Sequence, residues 1–330
     1  MFYQLRQLFS KLLSLTGGIN YFWNKLPNGI YVFNYHRIGN KEKTHFDRAI
    51  FSCTQQAFEQ QIIELKKHFT IINTVQLAQL IEQDEITNSR FAVITFDDGY
   101  LDNYTQALPV LVKHKVPAVF YLTTKFLDTN SITWWDEIAY LLRKSHGLTY
   151  HLPNSIKKYK LDNNNIDKII QQIMSDIKQA KNLSVLTALE DIRIQFPLAK
   201  EQLQDDNSQL FMGWEHAQAL IDQGMEIGSH TLTHPILSQL SDEQHNQEII
   251  ESKLVLEERL KCKINSIAYP VGRYYCYNQK SFEYSASAGY NIGFNNEPGF
   301  HRSICNNLDI NRFCVATNDI NCLKYECCFI

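Results

Sequence analysis

The sequence predicts an α/β protein whose strands are mostly parallel. Short apolar runs alternate with longer amphipathic segments along most of the 330 residues, and no repeat or low-complexity tract is present. The composition, with 44% hydrophobic and 20% charged residues, is that of an ordinary globular chain, long enough to bury a substantial core. A net charge of −3 lacks the basic excess of nucleic-acid-binding proteins, so we expect no nucleic-acid partner.

Strands and helices are predicted from the spacing of apolar residues. The predicted strands are 30–34, 91–96, 118–122, 225–228, 264–269 and 292–294, with a seventh at 312–316. The predicted helices are 54–68, 74–82, 101–114, 214–223 and 241–260. Thr54 and Ser241 are residue types that cap helix N-termini, which supports the starts of two of these helices.

The segment 129–212 differs from the rest of the chain. It lacks apolar strand runs and is rich in Lys, Asn, Asp, Gln and Ile, with an exposed amphipathic helix predicted at 166–180. We interpret it as a helical insertion between two strands of the main domain, 28–330. Insertions of this kind commonly shape substrate entry.

Residues 1–27 are predicted to form an N-terminal amphipathic helical segment. Apolar residues recur at helical spacing in 1–16, while Gln7, Ser10 and Lys11 interrupt the continuous run that a signal peptide needs, and the stretch is too polar to span a bilayer. Two interpretations stay open. The helix packs on the domain, or it lies on an anionic membrane surface with Arg6, Lys11 and Lys25 toward the phosphates.

Eight cysteines are scattered along the chain without any Cys-x-x-Cys pair. This usage is typical of reduced thiols, so we expect a cytoplasmic protein, peripheral on the inner face of the membrane if residues 1–16 bind lipid. The tail cysteines Cys322, Cys327 and Cys328 are an alternative metal site, although idle thiols are the simpler interpretation because a zinc site needs four well-spaced ligands.

Two adjacent carboxylates follow the predicted strand 91–96. Active sites of parallel α/β folds collect where strands end, and Asp97 and Asp98 point in different directions there. One can bind a metal while the other faces a metal-bound water. The alternative is that these aspartates only cap the following helix.

Two histidines follow the predicted strand 225–228. His230 and His234 are four residues apart, so a helical turn would place both imidazoles on one face, where they could share one ion. The zincin motif would have a glutamate base between them, but that position is Thr231, so the base has to come from elsewhere and Asp97 is the natural candidate. Such a pair also occurs on surfaces without any function.

Two further strand ends carry candidate groups. The turn Tyr269-Pro270-Val271-Gly272 offers the Val271 N–H as an oxyanion donor, although a plain turn is the default interpretation. After the strand 30–34, His36 is a candidate general acid, because the ordinary pKa of histidine lies near neutrality; a structural histidine is the alternative.

Together the Thr-Phe-Asp-Asp-Gly and His-Thr-x-x-His motifs resemble the polysaccharide deacetylases of the NodB-homology superfamily, carbohydrate esterase family 4. The resemblance covers about 28–316 and implies a deformed (β/α)7-type barrel with the site at one mouth. It implies that Asp97 is the general base and that Asp98 binds the metal with His230 and His234.

The chain departs from the family at two places. Many members have an arginine that orients the base at the position of Ala268, and many have a catalytic histidine near the C-terminus. The Tyr35-His36 pair is similar to the branch of biofilm poly-N-acetylglucosamine deacetylases, which implies that His36 is the acid. His301 is the competing late candidate.

The resemblance implies a hydrolase acting on carbon–nitrogen bonds other than peptide bonds, which removes N-acetyl groups from a polysaccharide or lipid-linked saccharide. The ligand set suits Zn²⁺, which we expect, and also Co²⁺, Ni²⁺ or Fe²⁺. In the implied reaction Asp97 takes a proton from water, the metal and the Val271 N–H hold the oxyanion, and His36 protonates the leaving amine. An O-acetyl glycan esterase and a catalytically silent glycan-binding module are the alternatives. Trp134 and Trp135 either stack on the sugar or pack inside the insertion.

Overall fold

The computed structural model describes residues 13, 16–129, 131–180, 183–204 and 209–329. The chain divides into two compact units. The first contains Met1–Gly39, Ser52–Thr129 and Phe211–Ile330, and the second contains Asn40–Phe51 and Asn130–Leu210. The predicted amphipathic helix at 1–16 lies almost entirely outside the described residues. Among the residues that are described, no helix is both long and apolar enough to cross a membrane.

The first unit is built on a parallel sheet of eight strands. These are β1 (Gly29–Tyr35), β2 (Thr70–Ile71), β3 (Arg90–Phe96), β4 (Val119–Leu122), β5 (Glu226–Ser229), β6 (Ser266–Ala268), β7 (Ile292–Phe294) and β8 (Phe313–Cys314). Their order is β7-β6-β5-β4-β3-β1-β8, and β2 pairs with β3. The strands Arg37–Ile38 and Phe51–Cys53 pair separately.

Twelve α-helices occur in the described part of the chain. They are α1 (Gly18–Asn24), α2 (Gln55–His68), α3 (Thr74–Glu82), α4 (Leu108–His114), α5 (Trp134–Lys144), α6 (Ile166–Gln179), α7 (Val185–Gln195), α8 (Pro197–Gln204), α9 (Trp214–Asp222), α10 (Asp242–Leu260), α11 (Gln279–Ser287) and α12 (Ile320–Phe329). Short 3₁₀ helices are Lys41–Lys43, Thr124–Phe126 and Leu237–Gln239.

The sheet curls because one segment contacts both of its ends. Ile310 lies beside Phe294 of β7 in a parallel bridge, and its N–H donates to Gly293 O at 2.9 Å. A few residues later, Phe313 of β8 pairs with Phe33 of β1. This arrangement confirms the predicted deformed barrel.

The seven predicted strands are all present, with ends shifted by a few residues. The predicted helix 101–114 is present over its whole length, but its turn Asn103–Ala107 adopts the wider π-helical form before α4. Pro109 at the start of α4 lacks an N–H for the preceding turn, which is a common cause of such a distortion. The pattern also missed β2, which at two residues is too short to show a periodicity.

Side chains on the inner face of the barrel change from apolar to polar toward one end. Along β1, Ile30 and Val32 belong to a buried apolar cluster, and Asn34 is the next residue on that face. Along β3, Val93 is followed on the same face by Thr95. The carboxyl end of the barrel interior is therefore polar and buried, which is where a parallel barrel carries its active site.

The second unit corrects two expectations for 129–212. It contains an antiparallel pair of strands, Thr149–His151 and Lys158–Lys160, whose polar residues hid them from the apolar pattern. The helix predicted as exposed, α6, buries a continuous stripe. The buried residues are Ile166, Ile170, Ile173, Met174 and Ile177. Burial of that stripe means α6 is a packed element of the unit.

The second unit also includes a segment that lies far away in the sequence. The Asp47 N–H donates to Asp136 Oδ1 at 2.9 Å, and Arg143 Nε donates to His45 O at 3.1 Å. These bonds attach Asn40–Phe51 to helix α5. No local pattern in the sequence indicated this association, because it depends on hydrogen bonds between distant residues.

Candidate active site

The carboxyl ends of four strands carry the predicted site residues. Parallel strands end on the same side of a sheet, so residues that follow β1, β3, β5 and β6 come together there. They are His36 after β1, Asp97 and Asp98 after β3, His230 and His234 after β5, and Val271 after β6. A seventh residue, Arg312, enters the same region just before β8.

Asp98, His230 and His234 form one buried cluster. Asp98 Oδ1 lies 3.4 Å from His230 Nε2 and 3.3 Å from His234 Nε2, and candidate ligand atoms of all three residues lie within 4.8 Å of one another. The exposed fraction of each side chain is 8% or less. Burial raises the pKa of Asp98, but the attraction of the two facing imidazoles outweighs burial, so the pKa lies well below its usual range.

The chemistry of this cluster fits a divalent metal ion. Asp98 Oδ1 is buried, and no hydrogen-bond donor satisfies it among the described residues, although two ring nitrogens face it. His230 Nδ1 lies 2.7 Å from Ala268 O, and donation to that carbonyl leaves the Nε2 lone pair directed at Asp98. A second ring nitrogen bound to a carbonyl is the usual support of a metal-binding histidine.

The two histidines converge through a loop, which corrects the predicted helical turn. Residues 230–235 are neither helix nor strand, and Thr231 and His234 both have positive φ, 67° and 61°. The loop is held by Glu248 of α10, whose carboxylate accepts the N–H groups of Leu232 and Thr233, both at 2.9 Å. Side-chain hydrogen bonds therefore replace the helical bonds that the spacing suggested.

Asp97 is completely buried, and one arginine donates two hydrogen bonds to its carboxylate. Arg312 Nη1 donates to Asp97 Oδ1 at 2.8 Å, and Nη2 donates to Oδ2 at 2.7 Å. Asn34 Nδ2 adds a third bond to Oδ2 at 2.8 Å. Burial alone would raise the pKa of Asp97, but the charges of Arg312 and His230 outweigh it, so the carboxyl group remains ionised with a lowered pKa.

His36 lies beside Asp97 and is partly exposed to solvent. Its Nε2 is 4.0 Å from Asp97 Oδ2, and 23% of its side chain is exposed, whereas Asp97 is fully buried. Its main chain is fixed by Ser52 Oγ, which accepts the His36 N–H at 2.9 Å, and by Asn103 Nδ2, which donates to His36 O at 2.6 Å. An imidazole so placed can exchange protons with a molecule in the site.

Val271, whose N–H is predicted to donate to an oxyanion, has an unusual main-chain conformation. Val271 has φ of 61°, a region that β-branched residues rarely adopt, and the Gly272 N–H donates back to Pro270 O at 2.6 Å. Within the described residues no acceptor takes the Val271 N–H. Such strain is typical of functional sites, where surrounding contacts maintain it.

A family model described as polysaccharide deacetylase matches residues 84–293, more than half of the chain. The chain belongs to the polysaccharide deacetylase family. Among curated relatives, YxkH of Bacillus subtilis (strain 168), provisionally named a polysaccharide deacetylase, is 23% identical over 220 residues, which are 67% of this chain and 50% of YxkH. The chain thus spans about half the length of the curated relative that it matches.

Solved structures of polysaccharide deacetylases share the fold. The deacetylase PplD of Streptococcus pyogenes, in complex with acetate, is 18% identical, with 88% of this chain and 93% of PplD covered and a TM-score of 0.55. IcaB of Ammonifex degensii is 15% identical, with coverages of 92% and 98% and a TM-score of 0.56. A de-N-acetylase of Aggregatibacter actinomycetemcomitans is 13% identical, with coverages of 90% and 99% and a TM-score of 0.55.

Arg312 is the residue that the sequence did not reveal as functional. Many members of the deacetylase family orient the base with an arginine at the position that Ala268 occupies here. In this chain the guanidinium comes instead from the end of the barrel, 215 positions after Asp97. The sequence did contain one indication of this role, because Arg312 lies among apolar residues between Ile310 and Phe313. A buried arginine needs a buried partner of opposite charge.

The two residues that flank His36 in the sequence bind side chains elsewhere in the barrel. Tyr35 points into the core, where its hydroxyl donates to Gln61 Oε1 at 3.1 Å. Arg37 Nε donates to Asp102 Oδ2 at 2.8 Å. Alternation along the strand explains this result, because residues on either side of His36 face away from it. The Tyr-His branch assignment stays a prediction.

The competing histidine lies at the other end of the barrel. His301 pairs with Ile30 at the beginning of β1, through hydrogen bonds of 2.8 and 2.9 Å, and its Nε2 accepts the Asn311 N–H at 2.9 Å. Since strands rise by about 3.3 Å per residue, Ile30 and His36 are separated by roughly 20 Å. His301 is therefore a structural residue, remote from Asp97.

Proposed function

We propose that this protein is a metal-dependent deacetylase that removes N-acetyl groups from a saccharide. One observation carries the proposal. A buried aspartate and two histidines converge on a shared point, next to a second aspartate that an arginine holds ionised. Family membership supplies the reaction class, and the de-N-acetylase among the solved relatives supports attack on an amide.

Asp98, His230 and His234 would hold the metal, with Zn²⁺ the expected ion and Co²⁺, Ni²⁺ or Fe²⁺ also suited to these ligands. Three protein ligands leave positions open for water and substrate, as in catalytic sites. An ion bound there supplies a Lewis acid, which polarises the acetyl carbonyl and increases the acidity of water.

The protein's own groups then perform the proton transfers. Asp97 accepts the proton of the attacking water. Among the described residues Oδ2 has two donors, from Arg312 and Asn34, whereas Oδ1 has one, from Arg312, so Oδ1 keeps a lone pair for that proton. The free N–H of Val271 donates to the oxyanion of the tetrahedral intermediate. His36, at the exposed edge, protonates the leaving amine.

Acetate release tests this proposal directly. The purified protein is incubated with an oligomer of N-acetylglucosamine and, in parallel, with an O-acetylated glycan, before and after chelation and with Zn²⁺ restored. We expect acetate from the amide, loss of release on chelation and recovery with metal. Release from the ester alone would identify an O-acetyl esterase. No release from either substrate, with saccharide binding retained, would identify a silent glycan-binding module.

The membrane proposal rests on the sequence alone. Apolar residues recur at helical spacing in 1–16, with Arg6 and Lys11 among them. We propose peripheral association with an anionic surface at the inner face of the membrane, which would place the site near a lipid-linked saccharide.

A further inference from the structure

We propose that Asn34 and Asn296 form a relay that fixes the general base and the oxyanion donor in one rigid unit. The relay runs from Asp97 through the two asparagine side chains to the turn at Val271. The relay rests on the proposed function, because its hydrogen bonds support the general base Asp97 and the oxyanion donor Val271 of the proposed reaction. Asn34 and Asn296 are positioning residues in this scheme.

Asn34 is the centre of the relay. It is completely buried, and its amide nitrogen donates both to Asp97 Oδ2 at 2.8 Å and to Asn296 Oδ1 at 3.1 Å. Its oxygen accepts from Thr95 Oγ1 at 2.9 Å. A carboxylate only accepts hydrogen bonds, so Asp97 fixes the orientation of the amide, and both N–H groups of Asn34 are then used.

The turn at the other end of the relay needs support. Val271 is a β-branched residue at a positive φ, and the bond from Gly272 N to Pro270 O closes a three-residue turn around it. Turns of this kind with a positive central φ are rare and strained. A strained turn persists only where surrounding contacts hold it.

Asn296 supplies those contacts. Its Nδ2 donates to Val271 O at 3.2 Å, and its main-chain N–H donates to Gly272 O at 2.7 Å. The packing is close, since a Cβ on Gly272 would lie 2.7 Å from Asn296 N. One side chain therefore binds the residue that offers the oxyanion donor and, through Asn34, the base.

The consequence is mechanical coupling between two groups that act in the same transition state. Asp97 takes a proton while the Val271 N–H holds the developing oxyanion, so their relative positions affect the rate of acetyl hydrolysis whatever the leaving group. Misplacement by about 1 Å is enough to slow an enzyme roughly 100-fold. Loss of the relay should therefore lower kcat for amide and ester alike, without removing the metal.

The test compares three variants of the full-length, metal-loaded protein. Asn296→Ala removes the side chain, and Asn296→Asp keeps the acceptor for Asn34 while losing the donor to Val271 O. The control is Tyr277→Phe, which removes a partly buried hydroxyl that donates to Asp309 Oδ1 at 3.0 Å instead. The readouts are kcat and KM on an N-acetyl and an activated O-acetyl substrate, metal content, and hydrogen–deuterium exchange of peptides covering 270–273.

We expect both Asn296 variants to lose about 10- to 100-fold in kcat on both substrates, with KM within about 3-fold and metal content unchanged. Exchange across 270–273 should increase. Tyr277→Phe should keep kcat within about 2-fold. If Asn296→Ala does not fold, the kcat and exchange of Asn296→Asp test the relay, because aspartate has nearly the same shape as asparagine.

The partner residue completes the experiment. The double variant Asn34→Ala/Asn296→Ala should lose clearly less than the product of the two single losses, because both single variants already break the bond that links the two asparagines. Multiplicative losses, or Asn296 variants with wild-type kcat and unchanged exchange, would overturn the relay while the deacetylase proposal stands. An inactive wild-type protein would instead overturn the proposed function, and the exchange measurement would still show whether Asn296 holds the turn.

Discussion

Arg312 and Asp97 form a two-point ion pair in which both side chains are completely buried, with nitrogen–oxygen distances of 2.8 and 2.7 Å. The planar guanidinium matches the carboxylate, so the pair fixes the direction of Asp97 as well as its charge. Arg312 Nε also donates to Asn295 O at 2.7 Å, which ties the arginine to the end of β7. The orientation of the base therefore depends on a residue that directly precedes the last strand of the barrel.

Arg312→Met should destabilise the protein by about 3–5 kcal/mol, because it leaves a buried carboxylate without its counter-charge. Chemical denaturation measures this loss in the free energy of unfolding. The double variant Arg312→Met/Asp97→Asn should regain part of that stability, since no buried charge remains, yet it should stay inactive. A change below about 1 kcal/mol for Arg312→Met would show that Asp97 does not need this partner.

Glu248 should affect metal binding without touching the metal site. Its carboxylate accepts from Leu232 N, Thr233 N and the Thr233 hydroxyl, which shapes the loop between the two histidines. Glu248→Ala should weaken metal affinity about 10- to 100-fold, measured by competition with a chelator. Glu251→Ala is the matched control on the same helix; its side chain accepts a hydrogen bond from Gln247 of that helix. Equal affinities for the two variants would contradict this role.

His36→Ala should slow amide hydrolysis by about 10²–10⁴-fold and affect an activated acetyl ester far less. An amine leaves as a strong base and has to be protonated, whereas a stabilised phenolate departs unaided. His301→Ala is the control, and its rates on both substrates should stay near wild type, because His301 lies at the beginning of β1. Equal losses on amide and ester for His36→Ala would assign the acid role elsewhere.

Deletion of residues 1–16 should leave the barrel folded and reduce binding to anionic vesicles at low salt. The reason is the apolar stripe flanked by Arg6 and Lys11, whose attraction to lipid phosphates is screened by ions. Co-sedimentation with vesicles of anionic and of neutral lipids measures the effect. Absence of vesicle binding by the full-length protein would rule out the membrane proposal.

Most of the barrel could be predicted from the sequence because its strands are buried on both sides and so appear as apolar runs. The strand β1 is an example, with every residue buried. The antiparallel strands of the second unit could not be predicted in this way, since Lys158–Lys160 alternates exposed lysines with one tyrosine. Segment Asn40–Phe51 was missed because its place depends on contacts with distant residues.

The site was predicted where a motif is local and missed where it is assembled from distant strands. Asp97, Asp98, His230 and His234 lie in two short motifs at strand ends. Arg312 could not be linked to Asp97, because sequence spacing does not show which strand closes the barrel. Asn34 was also overlooked, although it continues the inward-facing series of Ile30 and Val32 and so occupies a buried position that demands hydrogen bonds.

The most direct test of a metal-dependent deacetylase separates the two adjacent aspartates. Asp97→Asn and Asp98→Ala are purified in the presence of Zn²⁺, and bound metal and acetate release are measured on the same samples. We expect Asp97→Asn to retain its metal and lose about 10²–10⁴-fold in turnover, while Asp98→Ala, like His230→Ala and His234→Ala, loses metal and turnover together. Full metal occupancy in the three ligand variants, or near wild-type turnover in Asp97→Asn, would contradict the assignment.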